Sequence, residues 1–332
     1  MSTPEANEAG RSSRRRFLAL GLGAFVVGTL PRALSPHRRL VRRTVPVMGT
    51  LAEIAVVGDD VNAAETAIDA ALEELYRVER TMTRFSRNSE IGQANLLAAR
   101  HAVPLGAETA LVVAEAVRWS EGSGGAFDPC LGEASELWDV SHRREPPAPG
   151  DVRRFAGRSL YRHLELDRAG GACRVHFSSA AIALDLGGIA KGYAVDRAVD
   201  ALRARGVRDG IVNVGGDLYA LGKSERGDDW EVGIQSPKSP RELIGTLAVS
   251  DGAVATSGDY IRYFDYHGRR YHHLLDPATG EPRLTPVHSV TVAAPTCMTA
   301  DVAATAVYGQ SEADAGRVLG RVAPGARLVR LA

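Results

Sequence analysis

Cysteine is scarce in this chain of 332 residues. The three cysteines are Cys130, Cys173 and Cys297. Their number is odd, and no short Cys or His spacing typical of a zinc site or a disulfide framework surrounds them. One disulfide stays open as an alternative, but we expect buried free thiols.

Basic residues are in the minority over most of the chain. Residues 1–43 hold nine arginines and two glutamates, which leaves 31 of the 40 basic and 38 of the 40 acidic residues for the rest. An acidic body does not suit a phosphate backbone, because binding there depends on Lys and Arg. We therefore expect no nucleic-acid partner. The hydrophobic content of 45% is ordinary for a globular protein with a sizeable core.

The N-terminal apolar run is too short to span a bilayer comfortably. It extends from Phe17 to Leu30 and follows the basic stretch Arg14 to Arg16. A basic lead before a short apolar run predicts a signal peptide, here a twin-arginine export signal over residues 1–36. We expect a protein in the periplasm or on the outer face of the cytoplasmic membrane. Residues 33–35 are only a weak cleavage site, so retention as a membrane anchor stays open.

The remaining pattern predicts more strands than helices, without regular alternation. Apolar spacing predicts helices over residues 61–80, 107–120, 190–205 and 299–308, and strands that include 44–57, 181–186 and 211–214. A charged, proline-rich stretch at 139–160 is typical of a surface excursion between two lobes. The prediction is an α+β domain over residues 44–330, built as two intimately joined lobes.

A paired glycine turn is the first candidate for chemistry. Gly187 and Gly188 precede a predicted helix that begins near Ala190 and contains Lys191. Glycines let the backbone approach a ligand, and a helix N-terminus with a lysine favours an anion. A tight turn packed on a sheet, with a solvated lysine, explains the pattern equally well.

Two other patterns suggest a metal site and a base. Asp301 and Thr305 lie four apart on a predicted helix, so both oxygens project from one face and suit magnesium. A hydrogen bond on the helix surface is the alternative. His273, in the pair His272-His273, has an ordinary pKa near working pH and suits a general base. Paired histidines at a strand end are otherwise structural.

Two glycine-containing loops suggest ligand contacts. Residues 125–129 set Phe127 and Asp128 on a glycine hinge, as recognition of an aromatic ligand requires. Residues 254–260 present hydroxyls and a carboxylate around a glycine. A hairpin or a β-turn would explain either segment.

In this order along the chain, these segments resemble the ApbE family of FAD:protein FMN transferases. The resemblance extends over nearly the whole chain after the export signal and rests on segments 48–50, 82–95, 125–138, 185–196, 213–222, 255–280 and 289–305. It implies a single ApbE-like (T-fold-like) domain with FAD, the substrate, between the lobes. It also implies that a threonine or serine hydroxyl of a target protein attacks the FMN phosphorus and that AMP leaves.

Residue roles follow from the same resemblance. His273 corresponds to the base. Magnesium ligands would be the carbonyl of Ala190 together with Asp301 and Thr305. The resemblance implies FAD contacts by Met48, Phe85, Ala126, Phe127, Asp128, Gly187, Lys191 and Leu275. The implied partners are flavoproteins of membrane electron transport that expose a segment like Asp/Ser-Gly-x-Thr/Ser-x-Ala-Thr.

The chain departs from the family pattern at three positions. Phe85 stands where many relatives have Tyr, and Cys130 replaces a common Thr. Ala304 occupies a position where some members have a second Asp, which puts the metal affinity in question. Two other functions stay open: an FAD pyrophosphatase that uses water, and an exported FAD-binding maturation factor without catalysis.

Overall fold

A seven-stranded antiparallel sheet organises the protein. The computed structural model describes residues 38–157, 159–168, 173–239 and 241–332, together with the backbone of 25–27. The strands of this sheet, in spatial order, are β15 (Arg327–Leu331), β14 (Ser289–Ala294), β11 (Gly252–Gly258), β8 (Asp217–Leu221), β7 (Gly210–Val214), β3 (Thr50–Gly58) and β2 (Arg39–Val47).

Three smaller sheets and eight helices surround it in the described residues. The small sheets are β1 (Phe25–Val27) with β9 (Trp230–Gln235) and β10 (Leu243–Val249), the hairpin β12 (Tyr263–Tyr266) and β13 (Arg269–His272), and β4 (Val103–Leu105) with β5 (Leu164–Asp167) and β6 (Cys173–Phe177). The helices are α1 (Val61–Met82), α2 (Glu90–Leu97), α3 (Ala107–Gly122), α4 (Gly132–Trp138), α5 (Pro149–Val152), α6 (Ala190–Ala204), α7 (Cys297–Ala306) and α8 (Glu312–Val322).

Both faces of the large sheet are covered. In β3, Ile54 and Val56 belong to the main core beneath the helices, whereas Ala55 and Val57 pack on the opposite side with Trp230 of β9. Successive side chains of a strand point to opposite faces, so a strand buried on both faces reads as a continuous apolar run. Helices α1, α6 and α7 pack on the first face.

The predicted α+β class is confirmed, and one main core joins the large sheet to the small β4–β6–β5 sheet. Core residues include Val175 and Phe177 of the small β4–β6–β5 sheet together with strands of the large sheet. The predicted helices are present with shifted ends. Helix α1 begins at the predicted residue, after Asp60, whose side chain accepts hydrogen bonds from the amides of Asn62 and Ala63, but it ends at Met82 rather than at residue 80. The three cysteines are free, and Cys130 and Cys297 are buried as expected, whereas Cys173 is only half-buried.

The predicted strand at 181–186 is wrong. This stretch is extended but forms no ladder, and its one bridge joins Ala183 to Leu131. The Asn95 side chain takes the place of a neighbouring strand: its Oδ1 accepts from Leu184 N at 2.6 Å and its Nδ2 donates to Leu184 O at 2.9 Å. This side-chain amide satisfies Leu184, while Ala183 O and Asp185 N bond to the backbone of residues 129–132.

The segment at 139–160 packs against the β12–β13 hairpin. Val140 and Val152 are buried with Trp138 and Phe264, and Trp138 Nε1 donates to Gly280 O at 2.8 Å. The predicted export signal at 1–36 lies outside the described residues apart from β1. Within the residues that are described, no helix is both long and apolar enough to cross a membrane.

Candidate active site

The N-terminus of α6 lies directly against α7. The Asp196 carboxylate on α6 accepts from Cys297 N at 2.7 Å and Met298 N at 2.9 Å, which satisfies two first-turn amides of α7. Gly192 permits the contact, because a Cβ there would lie 2.3 Å from Cys297 O. The two helices therefore hold Ala190 and Lys191 beside Asp301.

A buried ion-pair cluster forms at this junction. Lys191 Nζ pairs directly with Asp217 Oδ2 and lies 3.5 Å from Asp301 Oδ1, while Asp301 Oδ2 accepts from Gly192 N at 3.0 Å. Asp217 and Asp301 are each 2% exposed. Burial and the charge of Asp301 raise the pKa of Asp217 to about 7. Burial opposes the ammonium charge, but the two carboxylates outweigh it and raise the Lys191 pKa.

Thr305 extends this cluster towards the glycine turn. Its Oγ1 lies 3.0 Å from Ser257 Oγ at the end of β11. A Cβ on Gly188 would lie 3.1 Å from Phe127 Cε2 and 3.1 Å from Thr305 Cγ2. The turn therefore passes closely between the Phe127 ring and the Thr305 side chain, so a side chain at Gly188 would require both to shift. We call Lys191, Asp217, Ser257, Asp301 and Thr305 the inner cluster.

His273 belongs to the same region. Its backbone N and its Nδ1 lie 3.3 and 3.4 Å from Arg262 O. Burial, then the charges of Arg262 and neighbouring groups that include Lys191, lower the pKa of His273 to about 3. The imidazole is therefore neutral at physiological pH, and in this state it is a weaker base than the ordinary pKa expected from the sequence implies. With the proton on Nδ1 facing the carbonyl, Nε2 is the free acceptor.

A more exposed set of residues, here the outer rim, consists of Met48, Phe85 and Arg262. Phe85 is 82% exposed, and the Arg84 guanidinium carbon lies 4.3 Å from its ring centroid. Arg84 Nε in turn lies 3.0 Å from Asp185 Oδ2. Because Asp185 Oδ1 accepts from Gly187 N at 2.9 Å, this chain of contacts ties the Phe85 loop to the glycine turn.

The Met48 turn approaches the site from another side. Met48 has φ of 52°, a left-handed conformation, and its N donates to Glu79 Oε1 at 2.6 Å. A Cβ on Gly49 would lie 3.5 Å from Arg262 Nη2. Arg262 therefore connects this turn to His273, whose backbone it also contacts.

The other predicted contact residues have contacts within the protein itself. Ala126 O accepts from Arg283 Nη2 at 3.0 Å, and Leu275 is half-buried beside Pro282. The Asp128 carboxylate is 7% exposed and accepts from the amides of Cys130 and Tyr161 at 2.9 and 3.2 Å. In this state Asp128 shapes its own loop, and its contact with a ligand stays a prediction.

Three residues of the site were absent from the predicted set. Asp217 completes the inner cluster, Ser257 contacts Thr305, and Arg262 contacts His273. The sequence carried a signal for two of them. Asp217 follows the Gly215-Gly216 turn in the segment 213–222, and Ser257 lies in the hydroxyl-rich segment 254–260.

The donor atoms at this site suit a hard divalent cation. In the described part of the chain, no group of three or more His, Cys, Asp or Glu side chains is arranged to hold a metal ion. The predicted set of one carboxylate, one hydroxyl and one carbonyl is not such a group, but its oxygens are of the type magnesium prefers. Two buried carboxylates also share one lysine, and burial, followed by the charge of Asp301, raises the pKa of Asp217.

Fold and site together define an α+β protein with the N-terminus of a helix beside buried oxygen donors. The ApbE family model matches residues 48–327. A Treponema pallidum protein named FAD:protein FMN transferase is 35% identical over 281 residues, 79% of this chain and 76% of its own. A Vibrio cholerae protein of the same name is 32% identical over 80% of both chains. The chain belongs to the ApbE family, so the resemblance is confirmed.

Solved structures agree with this assignment. The ApbE protein from Thermotoga maritima superposes with a TM-score of 0.78 at 31% identity, covering 87% of this chain and 93% of its own. The flavin transferase ApbE from Vibrio cholerae superposes with a TM-score of 0.73 at 30% identity, covering 85% and 90%. The predicted enzyme class therefore agrees with the names of the relatives.

Proposed function

We propose that this protein is an FAD:protein FMN transferase that moves FMN from FAD to a threonine or serine hydroxyl of a target flavoprotein and releases AMP. The observation that carries the proposal is the convergence of Lys191, Asp301 and Thr305 at the N-terminus of α6, with His273 beside them. A helix N-terminus and a lysine attract a diphosphate. A neutral imidazole next to it can accept a proton.

The proposed reaction is a phosphoryl-group transfer. The acceptor oxygen forms a bond to the FMN phosphorus, the bond from that phosphorus to the bridging oxygen breaks, and AMP leaves with the bridging oxygen. His273 Nε2 takes the proton from the attacking hydroxyl. Positioning and charge neutralisation supply most of the rate in such reactions, which suits a site rich in fixed charges and poor in nucleophiles.

Magnesium is part of the proposal. Asp301, Thr305 and the Ala190 carbonyl would hold the ion, and Lys191 would add a second positive charge at the diphosphate. When bound, magnesium would polarise the phosphorus centre and neutralise charge on the departing AMP. The few protein ligands leave coordination positions for phosphate oxygens, as magnesium sites at phosphates usually do.

The proposed flavin and adenine contacts come from the outer rim and the loops around the glycine turn. Phe85 offers an exposed ring for stacking, and Phe127 packs against Gly188 at the turn. Met48, Ala126, Asp128, Gly187 and Leu275 would complete the contacts. FAD would then lie between the two lobes, with its diphosphate at the inner cluster.

The proposal also concerns where the protein acts and which proteins it modifies. A twin-arginine signal would bring the folded protein to the periplasm or the outer face of the membrane, with the N-terminus cleaved or kept as an anchor. The targets would be flavoproteins of membrane electron transport that expose a threonine-containing segment there.

A mass measurement tests the proposed reaction. The full chain is incubated with FAD, magnesium and a peptide that carries the acceptor threonine, beside a control peptide with valine at that position. We expect one FMN added to the threonine peptide, one AMP released per modified peptide, and an unmodified control. Release of FMN and AMP without peptide modification would support the pyrophosphatase, and FAD bound but uncut would support the maturation factor.

A further inference from the structure

The two carboxylates near Lys191 are engaged differently. Lys191 Nζ pairs directly with Asp217 Oδ2, but it stays 3.5 Å from Asp301 Oδ1. The other Asp301 oxygen, Oδ2, accepts from Gly192 N at 3.0 Å. Oδ1 is therefore the Asp301 oxygen with the longer protein contact among the described residues, a 3.5 Å hydrogen bond from Lys191 Nζ.

Asp217 is held firmly at this position. It opens β8, which pairs with β7 and β11, and its side chain is 2% exposed. The turn before it is fixed by hydrogen bonds from Gly216 N to Asn213 Oδ1 at 3.1 Å and from Thr256 N to Gly216 O at 3.2 Å. Because the strand fixes the Asp217 carboxylate, the lysine side chain is the partner that adjusts its position to form this pair.

Lys191 has a flexible side chain that can reach either carboxylate. If its ammonium closed on Asp301 Oδ1, both oxygens of Asp301 would be occupied by protein donors. The ammonium charge would then lie directly beside the Asp301 carboxylate and would repel a cation from it. The direct pair with Asp217 prevents this, because a buried ammonium without a partner is strongly unfavourable and the nearer carboxylate already satisfies it.

We infer that Asp217 is a positioning residue that holds Lys191 away from Asp301 and so keeps Asp301 Oδ1 available to a divalent cation. This inference rests on the proposed function, because it concerns the proposed magnesium site. It assigns Asp217 no contact with the metal or with FAD.

The inference predicts an order of metal affinities among three variants. Asp217→Asn leaves Lys191 with Asp301 as its one remaining carboxylate, and the charges of the trio sum to zero. Lys191→Met removes the competitor and leaves two carboxylates. The double variant Lys191→Met/Asp217→Asn has one carboxylate and no competitor, the same total charge as the wild type. If Asp217 acts by holding Lys191, replacing Asp217 should cost much less affinity when Lys191 is already Met than in the wild type.

The experiment titrates Mn²⁺ into the full chain and follows the free ion by electron paramagnetic resonance, without FAD or turnover. We expect Asp217→Asn to bind Mn²⁺ on the order of tenfold more weakly than the wild type. Lys191→Met should bind at least as tightly as the wild type. The double variant should return to within about threefold of the wild type. Asp265→Asn, an exposed carboxylate paired with Arg270, serves as the control.

The outcomes separate this inference from the proposed function. Wild-type affinity in Asp217→Asn would overturn the inference. A double variant as weak as Asp217→Asn would also overturn it, because the effect of Asp217 would then not act through Lys191. If the single variant Lys191→Met bound Mn²⁺ more weakly than the wild type, the inference would also be overturned, and this test does not depend on Asp217→Asn folding. Absence of saturable Mn²⁺ binding by the wild type would instead contradict the proposed metal site itself.

Discussion

The inner cluster and the outer rim differ in how their side chains are held. Asp217 and Asp301 are each 2% exposed and fixed by a strand, a helix and close backbone contacts, whereas Phe85 is 82% exposed on a loop. Fixed charges suit chemistry at a phosphorus atom, because they need no reorganisation when charge develops. An exposed ring suits recognition of a substrate that must enter and leave. Changes at the cluster should therefore affect rate or folding, and changes at the rim should affect affinity.

Removal of the proposed base should give the largest effect. In His273→Ala, we expect the rate of FMN transfer to fall by about 10²–10⁴-fold, the usual contribution of a general base, with little change in KM for FAD. His142→Ala, at a ring whose side chain is 82% exposed, is the control. The measurement is kcat and KM by AMP release. Wild-type kcat in His273→Ala would remove His273 from the mechanism.

The contact between α6 and α7 should tolerate no added side chain. In Gly192→Ala, the new Cβ would lie 2.3 Å from Cys297 O and 2.8 Å from Asp301 Cβ. We expect the free energy of unfolding to fall by about 1–3 kcal/mol from overpacking, with loss of transfer activity. Gly316→Ala on α8, with nothing within 4 Å of its Cβ, should instead gain about 0.5–1 kcal/mol. Equal denaturation midpoints in the two variants would contradict the close helix contact.

The Asp196 carboxylate, which connects α6 to α7, should make the stability of the protein depend on pH. Burial raises the pKa of Asp196 from 3.8 to about 6, so the native state binds this proton more tightly than the unfolded chain. The stabilisation that this proton provides is complete below the unfolded pKa and is lost as pH rises through the folded pKa. Relative to Asp196→Asn, the wild type should lose about 2 kcal/mol between about pH 4 and about pH 6.

Chemical denaturation of both proteins across this pH range checks the expectation. Asp59→Asn, at an exposed aspartate, is the control. Parallel pH profiles for the wild type and Asp196→Asn would mean that the carboxylate is not buried between α6 and α7 as described.

The outer rim should show the smallest effect. In Phe85→Ala, we expect KM for FAD to rise by about fivefold, because a stacked aromatic pair contributes about 1 kcal/mol, while kcat stays close to the wild type. Phe85→Tyr should keep the wild-type KM, since it preserves the ring. Leu111→Ala, at a side chain 51% exposed on α3, controls for loss of exposed apolar surface. A large fall in kcat with unchanged KM would place Phe85 with the inner cluster instead.

Local patterns predicted much of the fold. Helices α1, α3, α6 and α7 follow from apolar spacing with end signals such as Asp60, and a helix fixes which residues share a face. The strand at 181–186 was mispredicted, because its backbone bonds partly to residues 129–132 through a single bridge and partly to the Asn95 side chain, 89 residues away in sequence. Apolar content alone does not distinguish these two ways of satisfying a backbone.

The same reasoning explains which site residues could be predicted. Asp301 and Thr305 share a helix, so their spacing was informative. Asp217 meets Lys191 because β8 passes beside the start of α6, a tertiary contact that no spacing encodes. The exposure of Phe85 and the burial of Asp128 likewise depend on packing. The resemblance to the ApbE family supplied the remaining positions, whose roles at the ligand stay predictions.

Anomalous diffraction from crystals soaked with Mn²⁺ and FAD would test the proposed centre most directly. We predict a single Mn²⁺ peak between the Asp301 carboxylate, the Thr305 hydroxyl and the Ala190 carbonyl. The ion should lie about 2.1 Å from each of these oxygens, as expected for a magnesium-type site, with diphosphate oxygens completing the coordination. FAD bound elsewhere, or a metal peak remote from these oxygens and from His273, would contradict the proposed active site.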